Sequence, residues 1–277
     1  MTGLFDLAGT VALVTGATKG IGRGIVERLA EYGAKVVVSA RNADECAAAA
    51  AALNERYGKG ESIAAGIAAD LADLASLQRL ADGAIALWGR VDTLVANAAV
   101  LGFHGPSADT PYEHFEAGLR ANVHHNFRLC QMLLPQMKAR RAGSIVFITS
   151  TAGLVATPEV AAYGVQKAAV NHMARTLAAE LAPFNIRVNA VSPGLIRSEA
   201  SRPIWESPAL LAANTRGIPL KRMGKPDNVA AAVLFLAGRG GDFVTGNVIA
   251  VDGGSAHLPA MANEALVDAF AGQRIPS

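Results

Sequence analysis

A tyrosine and a lysine four positions apart, Tyr163 and Lys167, have the spacing in this chain that most directly indicates chemistry. Positions i and i+4 share a face of an α-helix, so a phenol and an ammonium placed this way can address one small molecule. A neighbouring cation favours ionisation of a phenol, whose ordinary pKa is about 10. We therefore predict that Lys167 lowers the pKa of Tyr163, which would let the phenol act as a general acid and base near neutral pH.

A second candidate site is the glycine loop of Gly16, Gly20 and Gly22, which lies between a predicted strand and a predicted helix. In that context glycines let the backbone approach a phosphate at the helix N-terminus. The spacing Gly-x-x-x-Gly-x-Gly differs from the general Gly-x-Gly-x-x-Gly fingerprint, and a tight structural turn would also need glycine. The loop alone is therefore compatible with both a phosphate-binding site and a structural turn.

The elements that must position these residues alternate along the chain. We predict strands over 10–15, 35–39, 62–66, 91–96, 144–149, 185–191 and 247–251, and helices over 21–32, 43–57, 74–88, 112–140, 161–181 and 227–237. Several strand runs are almost wholly apolar, which is typical of parallel strands covered on both faces. The pattern predicts an α/β fold with a single Rossmann-like, doubly wound parallel sheet of about seven strands flanked by helices.

We assign residues 1–277 to a single domain, because no linker or repeat interrupts this alternation. The segment at about 195–225 is proline-rich and long, which favours a substrate loop or lid. Its apolar residues are Ile204, Trp205, Leu210 and Leu211, and Trp205 either contacts a ligand or packs within the loop. Residues at about 255–277 form a C-terminal extension in which 260–271 could add a helix.

Composition argues against several classes of function. A net charge of +2 without a long basic run does not favour nucleic acid binding. The chain lacks an apolar run of about 18 residues and a signal-peptide pattern, so we expect a soluble cytoplasmic protein without a membrane partner. The cysteines, Cys46 and Cys130, fit a reducing compartment. His124 and His125 are adjacent and would point apart on a helix, so we expect no metal site.

Together these motifs resemble the short-chain dehydrogenase/reductase family, over a stretch from about Leu7 to Gly254. The matching pieces are the loop Thr15–Gly22, Asp70-Leu71, Asn97-Ala98-Ala99, Asn122, Ser150, Tyr163, Lys167, Pro193-Gly194 and Val251-Asp252-Gly253-Gly254. One departure is Ala96-Asn97-Ala98-Ala99, where the family usually reads Asn-Asn-Ala-Gly.

The resemblance implies a nicotinamide dinucleotide cofactor. Asp70 and Leu71 would hold the adenine, Asn97 would pack beside the ribose or brace the central strand, and the backbone of Ile196 would bind the carboxamide. The full set of predicted cofactor contacts is Gly16, Thr18, Lys19, Gly20, Ile21, Gly22, Arg41, Asp70, Leu71, Asn97, Tyr163, Lys167, Pro193, Gly194, Ile196 and Ser198.

The identity of the dinucleotide depends on the end of the second strand. NAD-binding relatives carry an acid there, whereas this chain has Ala40 followed by Arg41. Arg41 and Lys19, with no competing acid, favour NADP(H), because two cations can bind the additional phosphate. NAD(H) is the alternative.

The resemblance also implies an oxidoreductase that interconverts a ketone and a secondary alcohol. Tyr163 would donate or accept the proton, Ser150 would hydrogen-bond the same oxygen, Lys167 would bind the nicotinamide ribose, and Asn122 would hold a water in a relay behind the lysine. Two of these assignments have rivals. Thr149 and Thr151 flank Ser150, whose hydroxyl could simply cap a turn, and Asn126 lies one turn beyond Asn122.

Three questions stay open at this point. Stretches 143–164 and 220–254 resemble 3-oxoacyl-carrier-protein reductases, and basic residues at 128, 138, 140 and 141 suggest a surface for an acidic carrier protein, but a steroid-like or other apolar ketone fits the Trp205 loop equally well. The other candidate substrate contacts are Leu101, Phe103, His104, Leu154, Val155 and Val160. Family members usually form homotetramers or homodimers, and a non-catalytic cofactor-binding sensor is the alternative to an enzyme.

Overall fold

The computed structural model describes residues 3–257. One parallel sheet has the strand order β3-β2-β1-β4-β5-β6-β7. The strands are β1 (Val11–Thr15), β2 (Lys35–Ala40), β3 (Ala64–Ala68), β4 (Thr93–Ala96), β5 (Gly143–Ile148), β6 (Ile186–Pro193) and β7 (Val248–Val251). The predicted α/β, doubly wound sheet of about seven strands is confirmed.

Helices cover both faces of this sheet. They are α1 (Gly20–Glu31), α2 (Ala43–Tyr57), α3 (Leu74–Trp88), α4 (Tyr112–Leu119), α5 (Asn126–Arg140), α6 (Ala161–Leu181), α7 (Arg202–Glu206), α8 (Pro208–Arg216) and α9 (Pro226–Ala237). Short 3₁₀ helices lie at Ser107–Asp109, Thr151–Gly153, Ala182–Phe184, Glu199–Ser201 and Arg239–Gly241.

The apolar strands form two cores because alternate residues point to opposite faces. Ala12 and Val14 of β1 pack with α1, α2 and α9 on one face. Leu13 between them packs with α3, α5 and α6 on the other face. The sheet is thus buried between two helical layers, which leaves the ends of its strands as the place where a ligand can reach it.

Four elements differ from the sequence predictions, and one of them is β4, which begins at Thr93, two residues later than predicted. The predicted helix 112–140 is interrupted by a π-helical turn over Arg120–His125, which separates α4 from α5. Strand β3 begins at Ala64, two residues later than predicted, and Asn54 Oδ1 accepts hydrogen bonds from the N–H groups of Ile63 and Ala64, both at 2.8 Å. The segment 195–225, predicted as a substrate loop, contains the helices α7 and α8. The predicted helix 260–271 lies outside the described residues.

Candidate active site

The strand order reverses at β1, which pairs with β2 on one side and with β4 on the other. In open parallel sheets the crevice at the carboxyl ends of such strands is where ligands bind. The glycine loop leaves the sheet at Thr15, and Asn97 follows β4. Both predicted cofactor segments therefore meet at this crevice.

The glycine loop approaches its own helix very closely. A Cβ atom on Gly22 would lie 2.1 Å from the carbonyl oxygen of Gly16, so a side chain at this position is sterically excluded. Gly16 has φ +63° and Gly20 φ +56°, a region that favours glycine. Helix α1 begins at Gly20, and its N-cap residue Lys19 makes no side-chain cap. The N–H groups of its first turn are therefore open to an anion.

Asn97 braces this loop from the neighbouring strand. Its Nδ2 donates to the carbonyl oxygens of Thr15 and Gly16, both at 2.9 Å. Thr15 Oγ1 in turn accepts from the backbone N–H of Asn97 at 3.1 Å and of Ala98 at 3.0 Å. Asn97 was predicted either to pack beside the ribose or to brace the central strand. The observed contacts are of the bracing kind.

A cleft of about 1190 Å³ opens along the crevice. Such a volume exceeds the usual range of small-ligand pockets, as a dinucleotide requires. It brings together these predicted cofactor residues: Gly16, Thr18, Lys19, Gly20, Ile21, Gly22, Arg41, Asp70, Leu71, Asn97 and Ser198. The predicted contacts Tyr163, Lys167, Pro193, Gly194 and Ile196 are not part of this lining.

Asp70 and Leu71 are anchored at the cleft by local bonds. The Asp70 carboxylate accepts from the N–H of Ala72 at 2.9 Å, and the N–H of Asp70 donates to Ser76 Oγ at 3.1 Å. The carbonyl oxygen of Leu71 is hydrogen-bonded to His125 Nδ1. These bonds fix the turn after β3. The adenine-binding role of Asp70 and Leu71 stays a prediction.

The expectation of a cation pair without a competing acid is wrong. Glu45, in the first turn of α2, lies 2.8 Å from Lys19 Nζ and accepts a 3.1 Å hydrogen bond from Thr18 Oγ1. These bonds hold the pKa of Glu45 below its ordinary value, first through Lys19 and then through Thr18. The acid escaped the sequence reasoning because it lies five residues beyond Ala40 and reaches the glycine loop only when α2 folds against it.

The predicted catalytic residues meet at the carboxyl end of β5. Ser150 follows the strand, its hydroxyl lowers the pKa of the Tyr163 phenol, and its Oγ accepts from the N–H of Ala152 at 3.2 Å. Lys167 Nζ lies 5.4 Å from the centre of the Tyr163 ring and donates to the carbonyl oxygen of Ile148 at 2.9 Å. Of the three hydroxyl residues 149–151, Ser150 is thus the one that acts on Tyr163, and it caps the following turn as well.

The predicted lowering of the Tyr163 pKa is also wrong. Burial raises the pKa of this phenol to about 12, and the hydrogen bond with Ser150 offsets only part of that rise. Burial likewise lowers the pKa of Lys167 to about 8. Loss of hydration penalises the charged form of each group, which the spacing of the two residues could not reveal.

Asn122 is fully buried in the π-helical turn. Its Oδ1 accepts from the N–H of Val100 at 2.8 Å, while its Nδ2 donates to the carbonyl oxygen of Val100 at 2.7 Å and to Gln166 Oε1 at 2.6 Å. The side chain therefore braces Val100 against the residue before Lys167, and it does not bond to Lys167 itself. The rival Asn126 donates to the backbone carbonyl of Asn122 at 2.9 Å.

Gln166 is a site residue that sequence reasoning missed. It is 2% exposed. A Cβ atom on Gly118 would lie only 2.3 Å from the Gln166 amide nitrogen, so the glycine makes room for this side chain. A polar side chain directly before the lysine is a weak sequence signal. Only the structure shows that Gln166 bonds to Asn122 across two helices.

The residues predicted to contact the nicotinamide, Gly194 and Ile196, are held by β7 and by the start of the predicted substrate loop. The N–H of Gly194 donates to the Val251 carbonyl at 3.1 Å, and the carbonyl of Ile196 accepts from Ser201 Oγ at 2.7 Å. Trp205 donates to the carbonyl of Ser198 at 2.9 Å, and the guanidinium groups of Arg197 and Arg202 lie 4.6 Å and 5.7 Å from the centre of its ring. These are packing contacts within the loop, and a ligand contact of Trp205 stays a prediction.

Two predicted substrate segments meet beside the catalytic residues. The N–H of Gly105 donates to the carbonyl of Glu159 at 2.8 Å, and His104 Nε2 lies 3.8 Å from the Glu159 carboxylate. Leu101 and Val155 are exposed on these segments. Their apolar surface is therefore accessible to a substrate.

The predicted basic surface is divided by the fold. Lys138, Arg140 and Arg141 end α5 and its cap directly before β5, so they lie at the amino ends of the strands, opposite the cleft. Arg140 is bonded to Asp92 at 2.6 Å, and Arg141 donates to the carbonyl of Pro183 at 2.7 Å. These three cations do not border the catalytic residues, which removes one argument for a carrier-protein substrate.

The fold and this site define a dinucleotide-binding oxidoreductase, and comparison with known proteins identifies the group. A family model described as enoyl-(acyl carrier protein) reductase matches residues 16–256. A bovine protein, dehydrogenase/reductase SDR family member 4, is 40% identical over 90% of this chain and 88% of its own length. The rhamnolipids biosynthesis 3-oxoacyl-[acyl-carrier-protein] reductase of Pseudomonas aeruginosa is 39% identical over 90% and 97%. The chain belongs to the short-chain dehydrogenase/reductase family.

Solved structures agree with this assignment. The Pseudomonas aeruginosa RhlG/NADP active-site complex superposes with a TM-score of 0.86 at 38% identity, and it covers 92% of this chain and 100% of its own. A gluconate 5-dehydrogenase from Burkholderia cenocepacia, in complex with NADP and tartrate, gives a TM-score of 0.85 at 30% identity over 92% and 98%.

Across residues 3–257, no helix has the length and apolar character needed to cross a bilayer. The same part of the chain contains no cluster of three histidine, cysteine or acidic side chains arranged to hold a metal ion.

Proposed function

We propose that this protein is an NADP(H)-dependent oxidoreductase that interconverts a ketone and a secondary alcohol. The observation that carries the proposal is the group that Ser150, Tyr163 and the buried Lys167 form at the carboxyl end of β5, where the Lys167 ammonium lies 5.4 Å from the centre of the Tyr163 ring and Ser150 lowers the pKa of the phenol. The cleft beside this group has the size and the open helix terminus that a dinucleotide requires.

The residues of the cleft fit a nicotinamide dinucleotide. The absent Cβ of Gly22 and the uncapped start of α1 suit the pyrophosphate, which the loop Gly16–Gly22 would hold. Asp70 and Leu71 would hold the adenine, Lys19 and Arg41 the adenosine 2′-phosphate, and Lys167 the nicotinamide ribose. The backbone from Pro193 to Ser198 would contact the carboxamide. The NADP named in two structural neighbours supports this choice, and NAD(H) is the second candidate.

The cofactor, when bound, supplies or accepts the hydride at the carbonyl carbon. In reduction Tyr163 donates its proton to the ketone oxygen, which becomes the hydroxyl of the alcohol, and in oxidation the tyrosinate accepts that proton. Ser150 donates a hydrogen bond to the same oxygen. Below about pH 8 the Lys167 ammonium is charged and stabilises the tyrosinate that remains after proton donation.

Asn122 and Gln166 act as positioning residues in this proposal. Asn122 joins the backbone of Val100, which lines the cleft, to Gln166, which precedes Lys167. The bond between the two amides fixes helix α6 relative to the end of β4. A relay water held by the Asn122 side chain has less support, because both of its N–H groups are already bonded.

The remaining finer predictions belong to this proposal as well. A single domain over 1–277, a substrate loop at 195–225, a homotetramer or homodimer and a cytoplasmic location stay predictions. The substrate panel follows from the relatives and from the apolar loops. It should include simple ketones, acetoacetyl thioesters, cyclic ketones, steroids and a ketogluconate.

The experiment that tests the function measures oxidation of NADPH and of NADH side by side across this panel. We expect turnover of at least one ketone with NADPH. Tight NADPH binding without any turnover would instead favour the non-catalytic sensor. Turnover with NADH alone would contradict the role given to Lys19 and Arg41.

A further inference from the structure

Glu45 is an acidic side chain at the point of the cleft where the proposed cofactor carries its additional phosphate. It lines the cleft together with Thr18, Lys19, Arg41 and Asn42. Its two carboxylate oxygens are bonded to the glycine loop, one to Lys19 Nζ at 2.8 Å and the other to Thr18 Oγ1 at 3.1 Å. One carboxylate thus engages both polar side chains that the loop offers.

The position of Glu45 is fixed by the start of α2. Asn42 is the N-cap of this helix, and its Oδ1 accepts from the N–H of Glu45 at 3.0 Å. A negative charge in the first turn of a helix is favoured by the helix dipole. The start of α2 therefore places Glu45 beside the glycine loop, where Thr18 also bonds to its carboxylate.

A phosphate dianion at this point would be attracted by two cations and repelled by one carboxylate. Lys19 and Arg41 attract it, and within residues 3–257 Arg41 forms no ion pair that would compete. Glu45 repels it and shares Lys19 with it. The Lys19–Glu45 pair is partly exposed, at 62% and 39%, so water screens it and the phosphate can displace it.

We propose that Glu45 is a specificity-determining residue that weakens binding of NADP(H) relative to NAD(H), by occupying Lys19 and by opposing the adenosine 2′-phosphate. This inference rests on the proposed function, since it concerns the same cofactor site. NAD(H) carries no phosphate there, so the carboxylate leaves its affinity unchanged. The protein then uses NADP(H) with a smaller preference than its two cations alone would produce.

The test compares dissociation constants of NADP⁺ and NAD⁺ for the full-length wild type, Glu45→Gln and Asp44→Asn, measured by titration at low salt. Glu45→Gln keeps the shape and removes the charge. Asp44→Asn removes the same charge from the neighbouring position of the same helical turn. We expect Glu45→Gln to tighten NADP⁺ binding about 5- to 10-fold and to change NAD⁺ binding less than about twofold. Asp44→Asn should change both by less than about twofold.

An unchanged or weakened NADP⁺ affinity in Glu45→Gln would overturn the inference, since Glu45 would then position Lys19 for the phosphate. An equal gain in Asp44→Asn would also overturn it, because the effect would be one of net charge alone. Raising the salt concentration should reduce the gain. Wild-type protein that binds neither dinucleotide would contradict the proposed function itself, which separates the two failures.

Discussion

At the end of β5, Lys167 is 3% exposed and its ammonium bonds to one backbone carbonyl, whereas in the glycine loop Lys19 is 62% exposed and pairs with a carboxylate. Burial shifts both titratable groups of the catalytic end toward their neutral forms, with a pKa of about 12 for Tyr163 and about 8 for Lys167. At the glycine loop the charges of Lys19 and Glu45 remain in contact with water. In the proposed function the buried group at the end of β5 suits proton transfer, and the exposed pair at the glycine loop suits selection of a charged ligand.

This difference teaches how the same residue type acquires different roles. Lys167 is buried and has no carboxylate partner within residues 3–257, so any charge it carries is screened little by salt. An exposed lysine beside a glutamate binds anions weakly and reversibly.

The largest effect should follow Tyr163→Phe, which removes the transferable proton and keeps the ring. We expect kcat to fall by about 10³-fold or more. The matched control is Tyr112→Phe, which removes the hydroxyl of a tyrosine that is 68% exposed and should retain full activity. Comparable activity in the two variants would exclude Tyr163 as the proton donor.

Lys167→Met should lower kcat by roughly 10²-fold while making the protein more stable at neutral pH, because an unpaired ammonium is no longer buried. The pKa of Lys167 falls from 10.5 to about 8 on folding, so wild-type stability is lowest below pH 8 and is regained as the pH rises toward 10.5. The variant should gain about 1–3 kcal/mol at pH 7 after the lost hydrogen bond is counted.

Urea unfolding of wild type and Lys167→Met at pH 7 and pH 10 measures this gain. The difference in the free energy of unfolding should shrink at the higher pH. A variant that is less stable than wild type at pH 7 would show that the ammonium is better solvated than its burial indicates.

The pH dependence should differ between the two directions of the reaction. With a raised pKa, Tyr163 is protonated at neutral pH, so reduction starts from the active form. Its rate should be nearly constant up to about pH 7 and should decline through pH 8, where about half of Lys167 has lost its charge. Oxidation needs the tyrosinate, whose fraction increases about tenfold for each pH unit below the pKa. Initial rates in both directions between pH 6 and pH 9.5 test this, and an oxidation rate that falls with pH would contradict it.

The smallest of these effects on activity should follow Gln166→Leu. It leaves one buried N–H of Asn122 without its acceptor, which should cost about 1–3 kcal/mol of stability. We expect kcat to fall about tenfold with little change in the dissociation constant of NADP⁺. The neighbouring exposed Val165→Ala is the control, and a Gln166→Leu enzyme with wild-type kcat would rule out the positioning role.

Much of the fold follows from the sequence, for reasons visible in particular elements. Runs such as Val36–Val38 are apolar at consecutive positions because both faces of β2 are covered, and this pattern predicted the parallel sheet. The π-helical turn at Arg120–His125 was not predicted, because helical periodicity continues across it. The proline content of 195–225 predicts a loop, yet the segment contains two short helices, because each has its proline in the first turn, where proline is tolerated.

The site shows the same limit. Helix spacing predicted that Tyr163 and Lys167 share one face, and the family resemblance added Ser150 at the end of β5. The direction of the Tyr163 pKa shift was predicted wrongly, because burial arises from the whole fold. Glu45 and Gln166 were overlooked, because each acts on a residue of another element, the glycine loop and the π-helical turn.

The most direct test of the separation between the two ends is a comparison of Tyr163→Phe, Lys19→Met and the double variant. The dissociation constant of NADP⁺ and kcat at saturating NADPH are measured for each. The account predicts that Lys19→Met weakens NADP⁺ binding about fivefold and leaves kcat within about twofold, while Tyr163→Phe does the reverse. The double variant should show the binding of one single variant and the kcat of the other. A Lys19→Met enzyme whose kcat falls more than about tenfold, or a Tyr163→Phe enzyme that loses NADP⁺ binding, would contradict it.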